Sequence, residues 1–170
     1  ALEAWLAIAS LRKAEDETKA NPDDVLAWRR RYEANWALRR EHEGVGVLLE
    51  GLRYHPLDLS LRRRVIGLYA SAGAYEQALL HCHEALKVDP RLPNILQIRA
   101  RLAVATASDQ AKTYIQDFLN VSPEHWLDVH RFYLRAGLRE EAEQVLQLAA
   151  VQNPGCLGPL IAQARIGLWK

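Results

Sequence analysis

The sequence predicts an all-α protein built from antiparallel helix pairs packed one on the next, and three observations carry that expectation. Apolar residues recur at helical spacing, and no stretch shows the alternation of a strand. Proline stands at Pro22, Pro56 and Pro90, two successive intervals of 34 residues. Each interval holds two short apolar stripes divided by turn residues, and neither stripe can be buried without a neighbouring pair.

The stretch from Leu59 to Pro90 shows the pattern most fully. Leu61, Val65, Leu68 and Tyr69 form the stripe of a first helix. Ser71-Ala72-Gly73 breaks it, and Gly73 can take the positive φ that ends a helix. Ala78, Leu79, Cys82, Ala85 and Leu86 line a second helix, which Asp89-Pro90 stops. Tyr69, Gly73, Tyr75, Ala78, Ala85 and Pro90 fall on the signature positions of the tetratricopeptide (TPR) motif, with Arg62 where that motif has Trp and Cys82 where it has an aromatic. The region from about residue 23 to 154 resembles this family. The resemblance implies a right-handed superhelical solenoid, with the first (A) helix of each pair on the concave side, and a role in binding proteins or peptides.

Taken in order, residues 1–22 read as a leading helix or degenerate repeat that ends at Asn21-Pro22. Asp23-Asp24 offers N-cap chemistry for repeat 23–56, where Trp28, Tyr32, Gly44, Leu48, Gly51, Leu52 and Pro56 follow the motif. Repeat 57–90 comes next. Repeat 91–123 carries Ile95, Leu96, Ile98 and Leu102, then Ala111, Ile115, Phe118 and Leu119; Ser108 or Asp109 is the expected cap, and no glycine marks its turn. Repeat 124–154 recovers the pattern through Trp126, Tyr133, Gly137, Ala142, Leu146, Ala149 and Pro154, although Trp126 comes early. Pro123 suits a first helical turn, where a missing N–H costs nothing. A last apolar helix over 155–170 is expected as a cap or the start of another repeat. The whole of 1–170 is expected to be one domain.

At 49% apolar and 25% charged, the composition is that of an ordinary globular protein. No apolar run approaches the ~20 residues a membrane helix needs. A net charge of +1 gives no global attraction to nucleic acid or membrane. The two cysteines, Cys82 and Cys156, make no disulfide framework, so a reducing, cytoplasmic setting is expected. The absence of methionine and an end within a helical pattern suggest either a piece of a longer protein or a sequence given without its methionines.

Charge is concentrated on the A helices, expected at 25–40, 57–71, 93–105 and 124–136. They hold twelve arginines against Glu33, Asp58, Glu124 and Asp128, so a basic face is expected. Carried over from the family by register, the groove positions are Arg29, Glu33 and Trp36; Arg63 and Gly67; Gln97 and Arg101; Leu127 and Arg131. Guanidinium groups there favour carboxylates, which implies an acidic peptide or chain end as ligand. The competing expectation is that arginines form ion pairs within repeats, such as Arg29–Glu33 at i,i+4. The family's carboxylate clamp uses Lys and Asn where this chain has Arg29, Glu33 and Arg64, so a clamp is not expected. Trp36 is either a groove hot spot or packed on the next pair.

No catalytic, cofactor or metal site is expected. His81-Cys82-His83 cannot converge on one ion, because successive helical residues point ~100° apart. His125 and His130 lack a metal-binding spacing, and His42 and His55 are scattered. Gly44-Val45-Gly46 follows a helix, so it is no phosphate loop. The sequence therefore predicts a non-catalytic scaffold that binds a protein or peptide, acidic in character, through an Arg-lined groove. A self-assembly module joined through apolar end helices (1–11 and 160–169) is the alternative. An RNA-binding array is a third reading, drawn from the arginines and opposed by the near-zero net charge.

Overall fold

Asp24 and Asp58 start the first two A-type helices. Their carboxylates accept the backbone N–H of Leu26 at 2.9 Å and Leu61 at 2.7 Å, satisfying donors that a helix start leaves open. These caps fix α2 at Val25–Ala37 and α4 at Leu59–Ser71. The computed structural model of the chain describes residues 2–152 and 158–159. Before α2 comes α1, Leu2–Ala20; α3, Glu41–Tyr54, lies between α2 and α4; α5, Tyr75–Val88, follows. Then come α6 (Pro93–Ala105), α7 (Ala111–Val121), a 3-10 turn at Pro123–His125, α8 (Trp126–Arg135) and α9 (Arg139–Gln152). Every regular element among the described residues is helical.

The chain forms two units, Ala1–Val88 and Asp89–Lys170. In the first, α1 packs on α2, α2 on α3, α3 on α4 and α4 on α5. Its core joins Trp28 and Tyr32 of α2 to Val47, Leu48 and Leu52 of α3 and to Leu61 and Val65 of α4. Trp28 is 2% exposed, stacks on Tyr54 at 5.4 Å, and donates its indole N–H to the Pro22 carbonyl at 2.8 Å. Arg62 stands at the same place one repeat later. It is 8% exposed and donates Nη2–H to the Pro56 carbonyl at 2.5 Å. The buried guanidinium thus takes over the indole's hydrogen bond. Arg62 and Ile66 were not among the expected core residues, whereas Leu68 and Tyr69 are only partly buried against the core.

In the second unit α6 packs on α7, α7 on α8 and α8 on α9, with α6 also touching α8. Ile115 and Phe118 of α7 and Val129 and Tyr133 of α8 are buried, as is Leu146 of α9. The fourth repeat's early tryptophan has a structural reason. α8 has 10 residues where α2, α4 and α6 each have 13, and the 3-10 turn replaces its first turn. Trp126, expected in the core like Trp28, is consequently only half-buried at the start of α8.

Each hairpin turn contains one residue in the left-handed region: Arg39 (φ 58°), Gly73 (φ 76°), Ala107 (φ 49°) and Gly137 (φ 77°). The first three lie 34 residues apart, so the backbone keeps the repeat where the sequence offers no glycine. Arg39 also ends the first A-type helix at Ala37, short of the expected residue 40. Neither Ser108 nor Asp109 caps α7: Gln110 is at its start, and the Ser108 hydroxyl instead accepts the Gln110 N–H at 3.2 Å. Pro154 and the expected helix over 155–170, apart from Gly158 and Pro159, lie outside the described residues.

Two glycines of α3 test how tightly these helices meet. A Cβ on Gly51 would lie 3.1 Å from Trp28 Cγ and 3.2 Å from Leu61 Cδ1, whereas one on Gly46 would meet nothing within 4 Å. Gly46→Ala should therefore stabilise the chain by about 0.5–1 kcal/mol through helix propensity. Gly51→Ala should destabilise it by about 1–2 kcal/mol, because overpacking outweighs the same gain. Paired urea denaturation curves check both signs.

Candidate partner-binding site

The arginines of the A-type helices divide by what surrounds them. Arg30 binds Glu17 of α1 at 2.8 Å and Asp24 at 3.1 Å. Arg31 lies 5.8 Å from the centre of the Trp28 ring and reaches Glu50 of α3 at 3.5 Å. Arg64 of α4 crosses back to α2, with its guanidinium 5.2 Å from the Tyr32 ring centre and 3.0 Å from Glu33. In the second unit Arg99 binds Asp117 of α7 at 2.6 Å and sits 4.1 Å from the centre of the Tyr114 ring. These four and Arg62 hold neighbouring helices together.

Arg63, Arg101 and Arg131 are exposed, and among the described residues none of them makes an ion pair. Arg62, Arg63 and Arg64 show why. Successive residues on a helix point about 100° apart, so the first is buried, the third crosses to α2 and the second faces solvent. Arg29 is half-buried, and its Nε is buried without a hydrogen-bond partner. The expected Arg29–Glu33 pair is replaced by Glu33–Arg64.

The remaining predicted residues are spread over both units. In the first, Trp36 is 45% exposed, its ring 6.1 Å from that of Tyr32, and Gly67 is exposed with open space around its Cα. In the second, Gln97 of α6 donates to Asp128 of α8 at 3.2 Å, which ties the two A-type helices of that unit together. Leu127 is 40% exposed beside Asp128 in sequence. Arg101 of α6 and Arg131 of α8 come from those same two helices. Glu33, Trp36, Arg63 and Gly67 come from α2 and α4.

Among the described residues no group of His, Cys, Asp and Glu is placed to hold a metal ion. Cys82 is fully buried. His130 is buried, with Nδ1 at 3.1 Å from the Ala142 carbonyl, whereas His125 is exposed beside Glu124 at 3.2 Å. His55, which the sequence left without a role, shares the Pro22 carbonyl with Trp28 through Nε2 at 3.0 Å. No helix is long and apolar enough to cross a membrane among the described residues.

The helix lengths, the hairpin turns and the burial of one face of each pair define the tetratricopeptide-repeat fold. Solved structures bear this out. A MamA protein matches over 85% of this chain and 81% of its own, with 12% identity and a TM-score of 0.68. YrrB, described as a TPR protein with an unusual peptide-binding site, matches over 93% and 84%, with 13% identity and a TM-score of 0.66. A tetratricopeptide repeat protein from Parabacteroides merdae matches over 88% and 61%, with 17% identity and a TM-score of 0.65. Neither a family model nor a curated protein sequence matches the chain.

One titratable group stands out. His81 stacks on Tyr69 at 5.6 Å, and its Nδ1 lies 3.5 Å from Arg62 Nη1. Burial first, and the Arg62 charge second, hold its pKa below the ordinary 6.5, although Glu84 opposes them. The neutral ring is thus the folded form. Stability from this site is complete above pH 6.5 and falls as pH drops below it, because the unfolded chain takes up a proton that the folded site refuses. His81→Gln should flatten the decline below that value, as measured by chemical denaturation at successive pH values. An unchanged slope would show that other groups set it.

Proposed function

We propose that the chain is a non-catalytic scaffold that holds a segment of a partner protein on the exposed faces of its A-type helices. The observation that carries this reading is the division of the arginines. Arg30, Arg31, Arg62, Arg64 and Arg99 are committed to neighbouring helices, while Arg63, Arg101 and Arg131 are exposed and have no acidic partner among the described residues. A free guanidinium on a rigid helix is a preorganised receptor for a carboxylate, and it loses little entropy on binding. Each unit offers its own face to acidic side chains, Arg63 on the first and Arg101 and Arg131 on the second. Trp36 and Leu127 supply apolar contact beside them. Arg29, Glu33, Gly67 and Gln97 shape the surface: Glu33 stays on Arg64, and Gly67 keeps the α4 face low.

The peptide-binding site in YrrB's description gives this reading a precedent in the fold. A second reading, self-assembly, is favoured by α1, where Trp5 is 65%, Leu6 50% and Ile8 41% exposed.

Affinity capture with the intact chain, repeated with Arg63→Glu and Arg131→Glu, tests the primary reading. Each reversal should weaken a bound acidic partner by about 2 kcal/mol or more and leave the melting temperature unchanged. Full affinity in both variants would remove these faces as the binding surface.

A further inference from the structure

Arg101 and Arg131 occupy one place in two consecutive repeats of the second unit. α6 and α8 are the first helices of adjoining hairpins, and each hairpin turn is marked by its left-handed residue, Ala107 or Gly137. Arg101 and Arg131 each stand six residues before that mark. In the first unit the same place holds Glu33 and Gly67, six residues before Arg39 and Gly73. Glu33 is held by Arg64 and Gly67 has no side chain, so paired arginines at this place set the second unit apart from the first. One turn upstream α6 and α8 touch, where Gln97 donates to Asp128 at 3.2 Å. Residues three and four apart share a helix face. Arg101 follows Gln97 by four, and Arg131 follows Asp128 by three. Both guanidinium groups therefore stand over the same seam, one turn beyond that hydrogen bond. Touching helices have axes about 8–10 Å apart, a span that two arginine side chains can close from either side. Both residues are exposed, and neither has an acidic partner among the described residues.

We propose that Arg101 and Arg131 together receive one phosphorylated serine or threonine of a partner protein. This rests on the scaffold reading above and names the group that the second unit recognises. A carboxylate offers two oxygens and one charge, which a single guanidinium fork satisfies. A phosphate monoester offers three oxygens and close to two charges, which matches two forks meeting over one seam. Two separate carboxylates would have to lie side by side there and repel each other. Leu127 and Leu134 stand one turn to either side of Arg131 on the same face. Both are exposed and offer apolar contact to the residues that flank the phosphate. Glu124 and Asp128 lie upstream of Arg131. A nucleic-acid strand laid along α8 would meet those acids, whereas a single phosphorylated residue seated at the two arginines does not.

The probe is a short glycine peptide with one phosphoserine between two leucines, titrated into the intact chain and followed by NMR of the arginine Nε–H groups. Saturable shifts of the Arg101 and Arg131 signals are expected, with one common Kd of about 1 mM or lower. Arg101→Gln and Arg131→Gln should each weaken binding about tenfold. Arg139→Gln, at the exposed start of α9, should not. The unphosphorylated peptide should leave both signals in place. Absence of saturation, or indifference to both glutamine variants at positions 101 and 131, overturns the site. Equal affinity for a peptide with two glutamates in place of the phosphoserine assigns the pair to carboxylates and overturns the phosphate. Tighter binding of oligouridylate at the same two arginines assigns the face to nucleic acid and likewise overturns it. Phosphatase treatment of a captured partner separates this proposal from the scaffold reading. Loss of capture supports the phosphate. Capture that survives the phosphatase and still depends on Arg131 overturns the phosphate and leaves the scaffold standing.

Discussion

The first unit depends on how closely three helices approach at Gly51. Even a Cβ there would crowd Trp28 of its own pair and Leu61 of the next, so the absence of a side chain lets α3 serve both neighbours. A lone hairpin has apolar surface on two sides and can cover only one by itself. Contact at Gly51 makes the second side useful, because it seats α4 against a surface that α2 and α3 have already formed. Trp28, Leu48 and Leu61 are each almost or completely inaccessible for this reason.

Polar groups are fitted into this packing rather than kept away from it. The Pro22 carbonyl accepts from both Trp28 and His55, and the Pro56 carbonyl accepts from Arg62. A carbonyl at a repeat boundary is an acceptor that packing would otherwise strand, and a long side chain six residues on can satisfy it. Indole and guanidinium both do so. The substitution has a consequence: it places a permanent cation beside His81, which adds to the burial that keeps that ring neutral.

The same logic explains which arginines remain available to a ligand. Those whose register points along the stack find an acid or an aromatic ring on the adjoining helix. Those pointing away from it find none, as Arg63 shows between Arg62 and Arg64. A basic A-type helix is therefore a mixture of structural and free cations. Total charge does not distinguish them; helix phase does.

The sequence by itself determined the all-helical pairing, the 34-residue period and the positions of most helices, because apolar spacing, proline and glycine act locally. It also placed Trp28, Cys82 and Ala78 inside. Only the tertiary structure decided that Arg62 is buried, that Glu33 pairs with Arg64 instead of Arg29, and that Trp126 is half-buried at a shortened helix. Those outcomes depend on the phase and separation of helices distant in sequence. They follow from which side chain meets which neighbour after packing, and one-dimensional spacing does not carry that information.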